Sequence, residues 1–131
     1  MKNIIDHLSV GVGDLEEAAR FYDPVLGTIG VRRLAANHAF VAYGVDAPQF
    51  LAMSPYDKRP ATWGNGAHVS FAAESREAVD AFHRVALSLG GMCEGAPGER
   101  RGFPGDPGAY MAYVRDPFGN KLEVVHNGFS A

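Results

Sequence analysis

Between positions 4 and 12 the chain alternates. Ile4, Asp6, Leu8, Val10 and Val12 share one parity, and Ile5, His7, Ser9 and Gly11 the other. A period of two predicts a strand over 4–12. The period then lengthens. Leu15, Ala18, Ala19, Tyr22, Val25 and Leu26 recur at helical spacing. Asp14 stands where an N-cap belongs, and Glu17 three residues on completes a capping box. Pro24 inside this pattern predicts a kink or change of pitch, and Gly27 a stop. Strands are expected at 29–35, 38–43 and 48–54, separated by the turn residues Asn37, Gly44, Asp46 and Pro48.

The same succession then starts again. Residues 66–73 read as a strand, and Ser75 caps a helix carrying Ala78, Val79, Phe82, Val85, Ala86 and Leu89, ended by Gly90-Gly91. A short strand near 92–95 leads into a Gly/Pro-rich loop from Gly95 to Gly108. Strands at 109–115 and 120–126 follow, joined by the hairpin chemistry of Asp116-Pro117-Phe118-Gly119-Asn120. The two halves match in detail. His7-Leu8-Ser9 corresponds to His68-Val69-Ser70; His7 precedes the cap Asp14 by 7 residues, and His68 precedes Ser75 by 7. Phe21 and Phe82 each lie 14 residues beyond their histidine. In the final strands, aligning Phe50-Leu51-Ala52-Met53 with Lys121-Leu122-Glu123-Val124 sets Ala52 against Glu123. Coincident offsets of this kind mark an internal repeat.

Each half thus reads strand–helix–strand–strand–strand, and neither can bury a helix and a sheet alone. The expected fold is α+β: two tandem βαβββ modules, about 1–56 and about 64–128, in a single domain over 1–131. They would form a curved eight-stranded mixed sheet with the helices on its outer face and a trough on its inner face. Parity places Leu8, Val10, Val12, Leu122 and Val124 under the helices. It turns His7, Ser9, His68, Ser70 and Glu123 towards the trough.

Composition narrows the function. A chain of 131 residues supports one core, and 47% hydrophobic with 21% charged residues is an ordinary globular balance. A net charge of −3 offers no basic field for nucleic acid or an acidic membrane. No apolar run is long enough to span a bilayer, and Met1 to Asp6 lacks the apolar stretch of a signal peptide. Cys93 is the one cysteine, so no internal disulfide forms and a reducing cytoplasm is the expected setting.

The inward-facing residues carry the chemistry. Two imidazoles and a carboxylate, His7, His68 and Glu123, suit one divalent ion (Fe, Mn, Ni, Co or Zn) with coordination positions left open. Such an ion acts as a Lewis acid on adjacent oxygens or activates dioxygen. Without a metal, the same residues would form a hydrogen-bonded polar patch. Ser9 and Ser70 are small liners of a substrate space. Arg100 and Arg101 on the Gly/Pro loop are candidates to bind an anionic substrate, or solvated loop-tip residues. That loop would shape the pocket. Tyr110 is the candidate to orient or protonate a substrate, against the plainer role of a half-buried strand residue. His38, His83 and His126 are poor ligand candidates, Cys93 is a packing residue, Arg115 belongs to the hairpin, and Trp63 packs in the connection between halves.

Three segments bear a resemblance. Ile5-Asp6-His7-Leu8-Ser9-Val10-Gly11-Val12 with Asp14-Leu15 and Phe21-Tyr22, Gly66-Ala67-His68-Val69-Ser70-Phe71, and Arg115-Asp116-Pro117-Phe118-Gly119-Asn120-Lys121-Leu122-Glu123 are similar to the vicinal oxygen chelate superfamily. This superfamily includes glyoxalase I, extradiol dioxygenases and bleomycin-resistance proteins; the chain most resembles its small glyoxalase-like members. The resemblance implies the paired βαβββ fold and metal ligands on the first, fourth, fifth and eighth strands. Ala52 would then occupy the fourth-strand position, where glyoxalase I uses a carboxylate or equivalent. The remaining His7, His68 and Glu123 are similar to the ligand set of extradiol dioxygenases. The resemblance implies a small-molecule enzyme of glyoxalase or dioxygenase type acting on vicinal oxygens, and commonly a homodimer. Its bleomycin-resistance branch implies the alternative, a metal-free protein that sequesters a small molecule.

Overall fold

The structure, a computed structural model, describes residues 4–130. The part of the expected signal-free N-terminus formed by Met1, Lys2 and Asn3 lies outside the described residues. The chain runs β1 (Leu8–Gly11), α1 (Leu15–Gly27), β2 (Arg32–Ala36), β3 (Phe40–Gly44), β4 (Pro48–Met53), β5 (Val69–Ala72), α2 (Arg76–Ser88), β6 (Met92–Arg100), β7 (Ala109–Arg115) and β8 (Lys121–His126). This is two βαβββ modules, and the α+β class and its eight strands are as the repeat implies.

Local chemistry sets the element ends. The Asp14 carboxylate accepts from the Glu17 N–H at 2.8 Å, and the Ser75 hydroxyl accepts from the Ala78 N–H at 3.1 Å. Each occupies a donor that the first helical turn leaves without an intrahelical partner. Helix α1 continues through Pro24. The carbonyl that Pro24 cannot bond belongs to Arg20, an exposed residue that water can serve. Gly90, at φ +94°, turns the chain off α2 so that Gly91 N–H reaches the Ala86 carbonyl.

The strands divide into two four-stranded sheets, ordered β1-β4-β3-β2 and β5-β8-β7-β6. In both, the first strand of the module lies at the edge and pairs in parallel with the last. The first strand is shorter than the alternation predicts, because residues 4–7 precede the ladder. The sixth is longer: β6 reaches Arg100, with register shifts between Cys93 and Gly95 and between Gly95 and Gly98. Glycine and proline there mark bulges in a strand rather than the start of a loop. The loop shrinks to residues 101–108.

The helix-facing sides of the two sheets share one core. Phe21, Tyr22, Tyr43 and Phe50 form an aromatic chain in the first module. Phe50 meets Phe71 edge-on at 5.0 Å between centroids, and Phe71 continues to Phe82 on α2. The helices α1 and α2 also touch. The 116–120 hairpin ties the modules further. Asp116, 2% exposed, accepts from the Tyr22 hydroxyl at 2.5 Å, from the Phe118 and Asn120 backbone N–H groups and from the Asn120 amide, which also donates to the Gly11 carbonyl at 2.8 Å. In the connector, Trp63 covers Gly119, whose φ is +92°; a Cβ there would sit 2.7 Å from the indole Cδ1.

Candidate functional site

Pairing in the second sheet decides which side chains share its open face. In register, Ser70 lies beside Glu123 on β8, and Glu123 lies opposite Tyr113 on β7. Alternation then collects His68, Ser70, Lys121, Glu123, Met111 and Tyr113 on one side. Leu122, Val124, Ala112 and Val114 turn to the helices and are buried. The His68 Nε2 lies 3.2 Å from Glu123 Oε1. Glu123 is 9% exposed, a sheltered carboxylate whose partner is a half-exposed imidazole. The Tyr113 ring lies 6.3 Å from that of His68. Its hydroxyl is held above the usual phenol range first by burial and then by the neighbouring Glu123 charge. It therefore stays protonated and can donate, and it contacts Met111 Sδ at 3.4 Å.

His68, Ser70 and Glu123 are thus brought together. His7 is not. It precedes the edge strand β1, is well exposed, and its Nδ1 lies 2.7 Å from Asp6 Oδ2. The physical reason is the shared core: joining the sheets through their helix-facing sides leaves the opposite faces open instead of closing them around a trough. Among the described residues no three His, Cys, Asp or Glu side chains converge. A single chain therefore offers a divalent ion two donors, His68 and Glu123, and does not by itself fit one.

The fourth-strand position also changes. The alignment by residue type set Ala52 against Glu123. Strand pairing sets Val10 beside Ala52 and Ser9 beside Leu51, as Val69 is beside Leu122 and Ser70 beside Glu123. Leu51 is therefore the counterpart of Glu123, and fully buried Ala52 is a core residue like Val124. A slip of one residue in a period-two element moves a side chain to the other face. Leu51, like Ala52, has no ligating atom.

Tyr110 lies on the helix side of β7. Its hydroxyl donates to Asp80 of α2 at 2.6 Å, and the Arg76 guanidinium stacks over its ring at 4.8 Å. Tyr113, three residues on, has the opposite parity and is the tyrosine of the open face. The alternation of buried Ala112 and Val114 carries that information in the sequence. Arg100 reaches the open face, with its guanidinium carbon 5.7 Å from the Tyr113 centroid. Arg101 instead donates to the Asp106 carbonyl at 2.8 Å within its own loop. Ser9 lines a cavity of about 570 Å³ between β1, the end of β4 and the connector, with Gly11, Met53, Ser54, Arg59 and Thr62 among its other walls. None of its lining comes from residues 95–108. His126 bonds the Ala73 carbonyl and His83 the Cys93 thiol, both away from Glu123.

Known proteins resemble this chain over most of its length. Lactoylglutathione lyase GLX1 of Arabidopsis thaliana is 25% identical over 127 residues, spanning 93% of this chain but 44% of the plant protein. The chain thus covers less than half the length of that relative. A Vibrio cholerae protein named "Probable lactoylglutathione lyase" is 25% identical over 126 residues, covering 92% of this chain and 88% of that protein. The crystal structure of a glyoxalase/bleomycin resistance protein from Albidiferax ferrireducens T118 superposes with a TM-score of 0.86 at 41% identity, over 96% of this chain and 100% of that one. No helix among the described residues is long and apolar enough to cross a membrane. The family model for the Glyoxalase/Bleomycin resistance protein/Dioxygenase superfamily matches residues 4–124, and with its paired βαβββ modules the chain belongs to that superfamily.

Proposed function

We propose that this chain is a small-molecule enzyme of the glyoxalase or dioxygenase type, with its site assembled between two copies of the chain. The observation that carries the reading is the His68–Glu123 pair at 3.2 Å on an open sheet face, beside the Tyr113 hydroxyl. His7 supplies the missing third donor from the second copy. β1 and β5 are equivalent edge strands with exposed inner faces, so a two-fold pairing that sets β1 of one chain near β5 of the other carries His7 towards His68 and Glu123. In that assembly His7, His68 and Glu123 would hold a divalent ion, which would supply Lewis acidity towards a substrate with adjacent oxygens. The chain's own residues do the rest. Glu123 pairs with His68, Tyr113 donates a hydrogen bond to substrate oxygen, and Ser9 and Ser70 leave room for the ligand.

A mixing experiment tests both assembly and metal. His7→Ala and Glu123→Ala chains each bind little metal when purified without chelators. Co-refolded at equal ratio, their heterodimers recover metal in one of two sites, because one site inherits both intact donors. Metal in neither the wild type nor the mixture, after reconstitution with Fe(II), Mn(II), Ni(II) and Zn(II), overturns the catalytic-metal reading. A second reading then takes over, that of a metal-free small-molecule binding protein. It is favoured by Leu51, which removes the fourth ligand position, and by the incomplete donor set of one chain.

A further inference from the structure

Two cations flank Tyr113 on the open face, and they are not equivalent. Lys121 Nζ lies 5.2 Å from the ring centroid, against 5.7 Å for the Arg100 guanidinium carbon. Among the described residues neither has a carboxylate within 4.0 Å. Arg100 is engaged by backbone: it donates to the Met111 carbonyl at 2.7 Å and to the Ala96 carbonyl at 2.7 Å. That guanidinium staples the bulged β6 to its neighbours. Among the described residues Lys121 makes no such bond, and its ammonium lies over the face of Tyr113. Nearby Glu94 feels the Lys121 charge, but its carboxylate is taken by Arg115 at 2.6 Å. Glu123, two residues along the same strand face, is paired with His68.

The chain as a whole is acidic, at −3. This face nevertheless gathers Lys121, Arg100 and Arg115 against Glu94 and Glu123. A lysine ammonium with no carboxylate within 4.0 Å among the described residues, beside a flat ring and on the same strand face as the imidazole–carboxylate pair, is organised for an anion that arrives from outside. We propose that Lys121 recognises a carboxylate on the ligand. The ligand class is then a vicinal-oxygen compound that also carries a carboxylate. Its oxygens meet the His68–Glu123 end and its body lies on the Tyr113 ring. The vicinal-oxygen part rests on the function proposed above; the carboxylate part rests on Lys121 alone.

Three probes separate the two parts: catechol has adjacent oxygens and no charge, benzoate has the charge alone, and protocatechuate has both. Binding is followed by ligand-observed NMR titration of the full chain. Protocatechuate binds the wild type roughly tenfold more tightly than catechol, as expected for one charge-assisted hydrogen bond. Lys121→Met abolishes the preference, and Lys121→Arg restores it. An unchanged melting temperature shows that the variants are folded, since Lys121 lies outside the core. Equal affinity for catechol and protocatechuate, or a preference that survives Lys121→Met, overturns the proposal while leaving the vicinal-oxygen reading in place. Lys121-dependent binding of benzoate without binding of catechol upholds the carboxylate site and removes the vicinal-oxygen reading. Binding of none of the three overturns the carboxylate site as well.

Discussion

Tyr22 and Asp116 show how much of this protein rests on single polar contacts inside an apolar core. The Tyr22 phenol is fully buried, and its pKa is raised first by burial and then by the Asp116 charge. Tyr22→Phe removes one of the donors to a carboxylate that is itself 2% exposed. The expected loss is about 1–3 kcal/mol, read from urea unfolding near neutral pH. The same tyrosine predicts a pH dependence. Its folded pKa exceeds its unfolded value, so its contribution is fully present below the unfolded value of about 10. It is lost as pH rises, because the unfolded chain then gives up a proton that the folded chain keeps. Stability should fall above about pH 10 by up to ~1.4 kcal/mol per pH unit from this group, and Tyr22→Phe should flatten that slope. The sequence marked Asp116 and Asn120 as turn residues. Their bonds to Tyr22 and to the Gly11 carbonyl join positions remote in sequence, so local pattern could not carry them.

Strands in this fold are read by parity, and residue type alone does not fix the parity of β4. Leu51 and Ala52 make the point measurable. Leu51→Glu puts a carboxylate on the open face and should be tolerated in thermal unfolding. Ala52→Glu buries a carboxylate under α1 and should unfold the chain or cost several kcal/mol. The reverse result would mean that β4 is paired one residue out of register. The 116–120 hairpin offers a second test. Gly119→Ala forces a Cβ against Trp63 at a left-handed φ, with an expected cost of about 1–3 kcal/mol. Because Trp63 is the one tryptophan, its fluorescence should shift in step. The helices needed no such correction: their caps at Asp14 and Ser75 and their apolar stripes act within one or two turns, where sequence spacing and spatial spacing coincide. The full length of β6 is not legible in the sequence, because bulges and loops use the same glycine and proline residues.

Across the whole molecule, the two sheets meet through Phe50 and Phe71, and that choice of packing opens both polar faces. Leu8, 43% exposed, begins the edge strand that the proposed pairing would cover, and Ile5, 54% exposed, precedes it. Sedimentation should therefore report a dimer. Loss of His7 should leave the dimer intact while lowering metal content, whereas a charge at Leu8, as in Leu8→Asp, should shift the chain towards monomer. A Leu8→Asp variant that remains dimeric would place the interface elsewhere.

The sequence alone carries the repeat, the α+β class, the helices with their caps, and the shared inward parity of His68, Ser70 and Glu123. All of these follow from periodicities of two and 3.6, which local backbone geometry imposes wherever the strand or helix lies. Only the tertiary structure decided that Leu51 rather than Ala52 opposes Glu123, that Tyr113 rather than Tyr110 looks onto the site, and that His7 stands apart from His68 within one chain. Register depends on which hydrogen bonds two strands share. The separation of His7 from His68 depends on which faces of two sheets bury their apolar side chains against each other, a choice made between elements rather than within them.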